Sequence, residues 1–310
     1  MSTATQPLAI PRIGFTALLR EYSVLVKARV TTLIIMTAWC GAYLAAARSG
    51  VPSLSWTIFH ALLGIGLVSG GTAAINEVME RDLDARMRRT AMRPLVTKSL
   101  SVAHASVVAF GMTLGGVLYL WMTTNWQAAL LTALTSASYL LVYTPMKQVH
   151  PVCTFLGAFP GAMPPVLGWV AVRGRIDPEA IVLFAIMFFW QFPHFHSIAW
   201  LYREDYENAG VRMLPVVHSD GRSTVRAIVL YAVALVPVTL APTLMGMTGW
   251  TYFAGALLLG LALLWFSLRM WTMKLAPIAS ASKPRARHLL QATVLYLPLL
   301  FALMMLNRAA

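Results

Sequence analysis

Nine long apolar runs, separated by short polar breaks, constrain this sequence more than any other feature. A helix needs about 20 residues to cross roughly 30 Å of hydrocarbon, and backbone within a bilayer must be fully hydrogen-bonded. Each run approaches that length. A soluble protein with a single buried core would not need nine such runs. We therefore predict an all-α integral membrane protein with about nine transmembrane helices. The runs cover approximately residues 30–47, 54–75, 101–121, 126–144, 153–172, 179–201, 225–246, 249–270 and 288–306.

The composition supports a membrane location. Apolar residues make up 58% of the chain and charged residues only 11%, against about a quarter charged in soluble domains. We divide the chain into an N-terminal cytoplasmic segment, residues 1–29, and one transmembrane domain, residues 30–306. Cys40 and Cys153 both lie within apolar runs, so neither a disulfide nor a zinc site is predicted. No signal peptide or clear presequence is visible, which favours a bacterial inner membrane over a mitochondrial one.

The net charge of +13 is distributed unevenly across the predicted topology. With the N-terminus inside and the runs alternating, 20 of the 24 Lys and Arg residues lie on the inner side. This asymmetry follows the positive-inside rule and supports an odd number of spans. The basic residues therefore orient the chain and contact anionic lipid headgroups. Their distribution argues against nucleic acid as a partner.

Eight of the eleven carboxylates fall in two short segments, which the alternating topology places on the same inner side. Acidic residues contribute little to membrane orientation, so the positive-inside rule does not explain this clustering. Two acidic loops that face each other would form a cation site. The first segment contains Glu77, Glu80, Asp82 and Asp84, and the second contains Glu204, Asp205, Glu207 and Asp220.

The first acidic segment combines ligands for a metal with ligands for phosphate. Asn76, Glu80 and Asp84 are four residues apart, so a helix would align them on one face. Such oxygen ligands suit Mg²⁺, which commonly binds one or two carboxylates together with substrate phosphates. This layout predicts a substrate that carries a diphosphate, although a solvated loop of mutually paired charges is the alternative. Three arginines that could bind phosphate oxygens follow: Arg88, Arg89 and Arg93.

The second segment is preceded by His194 and His196, near the inner end of the sixth run. Ionisable groups at membrane depth are rare and usually face a cavity, which makes both histidines candidates for a functional site. Two residues two apart on a helix point about 200° apart, so we do not expect both to bind one metal ion. The alternative is one histidine hydrogen-bonded within the bundle and the other at the headgroup boundary.

Several separated motifs resemble the UbiA superfamily of intramembrane prenyltransferases. Residues 76–95 resemble its first aspartate-rich motif, including the Arg93-Pro94-Leu95 tail. Residues 191–195, Asp205-Tyr206 and residues 213–217 are similar to the members that farnesylate heme. The resemblance spans approximately residues 24–305. Departures are Glu77 and Glu80, where the superfamily usually has aspartate or asparagine, and Cys153, where relatives often have asparagine.

This resemblance implies nine helices around a central cavity that opens to the cytoplasm. It implies Mg²⁺ as cofactor, farnesyl diphosphate as donor and heme B as acceptor, with a hydroxyethylfarnesyl heme as product. Heme A synthase or the terminal oxidase assembly would then be a partner. The implied catalytic and metal-binding residues are Asn76, Glu80 and Asp84, with Asp205 opposite. The implied substrate-binding residues are Arg29, Arg89, Arg93 and Lys147 for the diphosphate, and His194 or His196 for the heme iron or a propionate.

Three other functions remain open on the sequence alone. A UbiA-type enzyme could use a quinone or chlorophyll precursor as acceptor, although histidines replace an acid of the second motif. A secondary transporter would place charges within the membrane, but it commonly shows paired internal repeats and a site near the midplane. A heme-delivery or assembly factor without catalysis would fit the unusual Glu77 and Glu80.

Overall fold

The computed structural model describes residues 14–309, except Ser53 and Lys274. The described residues contain nine helices that are long and apolar enough to cross a membrane, so the prediction of nine spans is confirmed and the protein is multi-pass. Residues 1–13 of the predicted N-terminal segment lie outside the described residues. Spans 1 to 9 are Ala28–Ser49, Trp56–Met79, Val102–Thr123, Trp126–Met146, Cys153–Arg173, Pro178–Leu201, Arg222–Leu244, Trp250–Trp271 and Ser280–Leu306.

Two helical segments of the structure were not predicted from the sequence. An additional helix, Phe15–Leu25, precedes span 1, and its Leu25 is fully buried against Leu95 and Leu100. Span 9 begins at Ser280 rather than near residue 288, because its first turns are basic and do not register as an apolar run. Long basic side chains are compatible with a helix end at the membrane boundary, since their stems remain apolar while their charges reach water.

Small residues bring spans 1 and 5 into backbone contact. A Cβ atom at Gly41 would lie 1.9 Å from the Pro165 carbonyl oxygen, and one at Gly168 would lie 1.9 Å from the Ala38 carbonyl oxygen. Glycine is therefore required at both positions, as is common where membrane helices pack closely. This contact joins the first spans to the second half of the bundle, in which span 6 packs against spans 5, 7 and 9.

Prolines interrupt two spans, span 5 at its middle and span 4 near its inner end. Span 5 is divided at Met163 into Cys153–Ala162 and Pro164–Arg173, because a proline has no N–H to continue the helical ladder. Span 4 contains a π-helical turn, Tyr139–Tyr143, which ends two residues before Pro145. Such turns occur frequently at functional sites, and this one leads into Thr144 and Lys147.

The two acidic segments lie next to each other at one end of the bundle. Met87 from the first segment packs in one apolar cluster with Ala209 and Val211 from the second. The backbone N–H of Arg212 donates to the Lys147 carbonyl oxygen at 2.8 Å. The loops after spans 2, 4 and 6 therefore form a common rim, which we call the mouth.

Candidate functional site

The first acidic motif keeps a helical path although span 2 ends at Met79. The backbone N–H of Glu80 donates to the Asn76 carbonyl at 2.9 Å, and that of Asp84 donates to Glu80 at 2.8 Å. Asn76, Glu80 and Asp84 are consequently buried together, at 0%, 8% and 1% exposure. Asp82 points outward, with 81% of its side chain exposed. The four-residue spacing thus places three oxygen-bearing side chains on the buried face.

Each of these three side chains has a basic partner. The Lys27 ammonium donates to the Asn76 amide oxygen at 2.8 Å. Lys147 forms an ion pair with Glu80 at 2.7 Å, and Arg93 forms one with Asp84. Asn76 also donates through its amide nitrogen to the Thr144 hydroxyl at 3.1 Å. The mouth therefore contains alternating acids and bases, all of them mostly buried.

The local backbone conformation positions two of these basic side chains, Lys27 and Lys147, at the site. Lys27 lies in the turn before span 1 with a φ of 47°, a left-handed conformation that is uncommon for residues other than glycine. The π-helical turn of span 4 brings Thr144 to Asn76 and places the Lys147 ammonium 4.5 Å from the centre of the Tyr143 ring. Strained backbone of this kind clusters at ligand sites.

The charges of the mouth are not fully compensated by one another. Burial, followed by the nearby charges of Arg93 and Lys147, lowers the pKa of Lys27 to about 7. Burial also raises the pKa of Asp84 above its ordinary value, even though Arg93 opposes that shift. Among the described residues, Asp84 Oδ1 and both carboxylate oxygens of Glu77 are buried without a hydrogen-bond partner. Unpartnered buried oxygens are costly, so the site fits an additional cation.

A recess of about 420 Å³ lies where the two acidic loops meet. Arg89 lies over the Tyr202 ring at 5.4 Å and over the Tyr206 ring at 5.9 Å, and its guanidinium donates to the Tyr206 hydroxyl at 3.4 Å. Asp205 therefore shares a chamber with the arginines of the first motif. The lining residues are Arg88, Arg89, Leu201, Tyr202, Glu204 and Asp205.

Within the part of the chain that the structure describes, no three His, Cys, Asp or Glu side chains are close enough to hold a metal ion by themselves. Glu80 and Asp84 instead contact Lys147 and Arg93, and Asp205 lines the recess. A metal ion at this mouth would consequently need oxygen atoms from a ligand to complete its coordination, as Mg²⁺ commonly takes from substrate phosphates.

The two histidines of span 6 point in different directions, as the helical spacing predicts. His194 is half-buried, and its Nδ1 lies 2.9 Å from the Thr293 hydroxyl of span 9. His196 is 5% exposed and bonds through Nδ1 to the Phe192 carbonyl of its own helix at 2.9 Å. They do not converge on one point.

Comparison with known proteins settles the family. The UbiA prenyltransferase family matches residues 33–286. The chain belongs to the UbiA prenyltransferase family. A protoheme IX farnesyltransferase from Koribacter versatilis (strain Ellin345) is 65% identical over 308 residues, which cover 99% of each chain. Another protein of that name, from Solibacter usitatus (strain Ellin6076), is 45% identical and covers 94% of this chain and 99% of its own.

Solved UbiA-type structures share the fold at low sequence identity. A digeranylgeranylglyceryl phosphate synthase aligns with a TM-score of 0.75 at 13% identity, covering 93% of this chain and 98% of that one. A UbiA homologue from Archaeoglobus fulgidus, solved with GPP and Mg²⁺ bound, aligns with a TM-score of 0.67 at 16% identity, covering 92% of this chain and 99% of that one. The nine-helix architecture implied by the sequence is therefore that of the UbiA family.

The structure brings most, but not all, of the predicted basic residues of this UbiA site together at the mouth. Arg93 and Lys147 reach the buried acids, and Arg89 reaches the recess. Arg29 is exposed and forms no hydrogen bond or ion pair with any described residue. Lys27 was not among the predicted site residues, but it contacts Asn76. Its position two residues before Arg29, at the start of span 1, was the only available signal.

Proposed function

We propose that this protein transfers a farnesyl group from farnesyl diphosphate to a vinyl group of heme B, which gives heme O. The observation that carries this proposal is the 65% identity, over 99% of both chains, with a protoheme IX farnesyltransferase. The mouth supports the donor half of the reaction, because it gathers basic side chains, buried acids and unpartnered carboxylate oxygens in one place. A transporter or a non-catalytic assembly factor has no corresponding support.

The basic side chains of the mouth would bind the diphosphate. Arg93 and Lys147 are held in position by Asp84 and Glu80, so they are preorganised to donate hydrogen bonds to phosphate oxygens. Arg89 offers a planar guanidinium at the recess, which can bind phosphate through two nitrogens. Lys27 adds a fourth basic side chain beside Asn76. Arg29 lies exposed near the start of span 1 and would contribute to the approach of the donor.

The acids of both motifs would hold Mg²⁺ against the diphosphate. Asn76, Glu80 and Asp84 supply buried oxygen atoms from one side, and Asp205 supplies a carboxylate from the recess. When bound, the ion neutralises the charge that develops on the leaving diphosphate. The residues themselves fix the ligand geometry and withhold water, and in a water-poor site electrostatic stabilisation is stronger than in bulk solvent.

The reaction would proceed by release of diphosphate and capture of an allylic cation. The C1–O bond of the donor breaks, and its electron pair leaves with the diphosphate. A vinyl carbon of heme B then attacks C1, and water adds to the resulting cation with loss of a proton, which leaves a hydroxyl group on the product. The basic residues of the mouth bind the leaving group, while the apolar spans exclude premature water from the cation.

We further propose that the mouth faces the cytoplasm in a bacterial inner membrane. Nearly all Lys and Arg residues lie on the side of the two acidic loops in the nine-span topology, as the positive-inside rule requires. Surrounding lipid would also supply the route for an apolar donor. The product would pass to heme A synthase or to the assembly of a terminal oxidase.

Product formation by the purified full-length protein tests this function. The protein in detergent would be incubated with heme B, farnesyl diphosphate and Mg²⁺, and farnesylated heme would be detected by mass spectrometry. We expect Asp84→Asn to lose about a hundredfold or more in rate, because metal-assisted stabilisation of the leaving group is worth several kcal/mol.

Asp82→Asn is the matched control, since it removes a carboxylate from the same loop at an exposed position. It should retain most of the activity. Equal loss in both variants would contradict the role of the buried face. Turnover with a quinone precursor but not with heme would place the protein elsewhere in the UbiA family, and no diphosphate release with any acceptor would contradict an enzymatic function.

A further inference from the structure

Span 6 carries a half-buried stripe that leads from the recess towards the membrane interior. Leu201 lines the recess, and His194 lies seven residues before it, which is two helical turns and about 10 Å deeper on the same face. Ile198 between them and Trp190 beyond them are also half-buried. A larger apolar substrate that enters beside the recess would therefore meet His194 along this face.

The hydrogen bonds around His194 assign its proton. The Thr293 hydroxyl donates its single hydrogen to the Leu290 carbonyl oxygen at 2.7 Å. It can therefore only accept from His194 Nδ1, which lies 2.9 Å away. Nδ1 of a neutral imidazole then carries the hydrogen, and Nε2 carries a free lone pair. This is the arrangement found in histidines that bind metals through Nε2, with Nδ1–H held by a neighbouring oxygen.

Trp190 restrains the same imidazole from a second direction. Its indole ring stacks on His194, with the ring centres 4.8 Å apart and the planes 18° from parallel. The indole N–H donates to the Thr293 carbonyl at 2.9 Å, and Thr293 is fully buried. The ring of His194 is thus fixed in both its plane and its tautomer.

His196 has the same tautomer, because the carbonyl that its Nδ1 contacts can only accept a hydrogen bond, but it does not lie on the stripe. It lies about 200° around the helix from His194, and its Nδ1 bonds to a carbonyl of its own helix. Phe192, which supplies that carbonyl, stacks on Tyr231 of span 7 with ring centres 3.6 Å apart. His196 therefore lies off the stripe, beside Phe192, which contacts span 7.

We propose that His194, and not His196, binds the iron of the heme acceptor through Nε2, with Thr293 and Trp190 as positioning residues. This inference rests on the proposed function for the identity of the acceptor. A fixed axial ligand would set the depth and the tilt of the porphyrin plane, so that the edge of the porphyrin can approach the donor at the mouth.

Absorption spectroscopy of heme B added to the purified full-length protein tests this proposal without reference to turnover. The wild-type protein should shift the heme Soret band to that of imidazole-ligated iron, and His194→Ala should lose the shift and weaken heme binding at least about tenfold. His196→Ala should retain the ligated spectrum. Metal-free protoporphyrin IX should bind the wild type and His194→Ala equally, because it has no iron.

Variants of Thr293 test the positioning role. Thr293→Val removes the hydroxyl at nearly constant volume and should weaken iron ligation about tenfold or more, as loss of an outer-shell partner commonly does. Thr293→Ser should restore it. Thr132→Val is the matched control, because Thr132 is also buried, at 3% exposure, and its hydroxyl donates to the Ala128 carbonyl of its own span. Thermal unfolding in detergent would verify that each variant is folded.

The outcomes separate this inference from the proposed function. An unchanged heme spectrum in His194→Ala, an unligated spectrum in the wild type, or equal loss of protoporphyrin binding would each overturn the role of His194. Farnesylated heme formed despite such a result would leave the function standing. Conversely, a His194-dependent spectrum without any farnesylated product would support the ligand assignment and contradict the function.

Discussion

At the scale of single residues, the mouth depends on pairs of buried opposite charges. Lys147 and Glu80 are 2.7 Å apart, and both side chains are only about a tenth exposed, at 12% and 10%. Removing one member of such a pair leaves the other charge buried alone, which typically costs about 3–5 kcal/mol. We expect Lys147→Met to lower the apparent melting temperature of the detergent-solubilised protein and to weaken donor binding.

The double variant separates stability from binding. Glu80→Gln combined with Lys147→Met removes both charges, so most of the lost stability should return, because no charge is left unpaired. Donor binding, measured by the KM for farnesyl diphosphate, should not return. If the single and double variants were equally unstable, the ion pair would not be the source of the effect.

The sequence was sufficient for the part of the site that is local in the chain. Asn76, Glu80 and Asp84 share a face because helical spacing alone determines it. Lys27 was not recognisable in the same way, since its contact with Asn76 depends on a left-handed turn and on the packing of span 1 against span 2. Likewise, which histidine contacts span 9 depends on the rotation of span 6 within the bundle.

At the scale of secondary-structure elements, long apolar runs made all nine spans predictable. The helix Phe15–Leu25 and the start of span 9 were not predicted. Hydropathy identifies helical segments that are apolar enough to face lipid, but it does not identify helical turns that carry polar residues. The π-helical turn of span 4 could not be located either. Its cause is partly the missing N–H of Pro145, but one proline is compatible with a kink or a π turn.

The contact between spans 1 and 5 makes a prediction about glycine. Gly168→Ala would force its new methyl group to within 1.9 Å of the Ala38 carbonyl oxygen, and such overpacking costs about 1–3 kcal/mol. The apparent melting temperature should fall accordingly. Gly111→Ala is the matched control within span 3, since its Cβ would meet nothing within 4 Å. There the melting temperature should stay the same or rise, because alanine favours helix by about 0.5–1 kcal/mol.

At the scale of the whole molecule, most Lys and Arg residues and the mouth lie on the same side of the nine-span topology. The positive-inside rule orients the chain by its Lys and Arg residues, and the same side carries the arginines and lysines of the mouth. In the proposed function, the basic residues would therefore serve two purposes, orientation in the membrane and binding of an anionic donor. Reversing the topology would present the mouth to the opposite compartment, away from a cytoplasmic supply of diphosphate substrate.

The proposed orientation can be measured by cysteine labelling in cells. Both native cysteines, Cys40 and Cys153, are buried at 1% and 0% exposure, so they should not react with a membrane-impermeant maleimide. Ile176→Cys, in the exposed turn between spans 5 and 6, should be labelled in intact spheroplasts. Asp82→Cys, at the exposed side of the mouth, should be labelled only after permeabilisation. Because the two positions lie on opposite sides of a nine-span topology, the reverse pattern would place the mouth outside and contradict both the orientation and access to cytoplasmic donor.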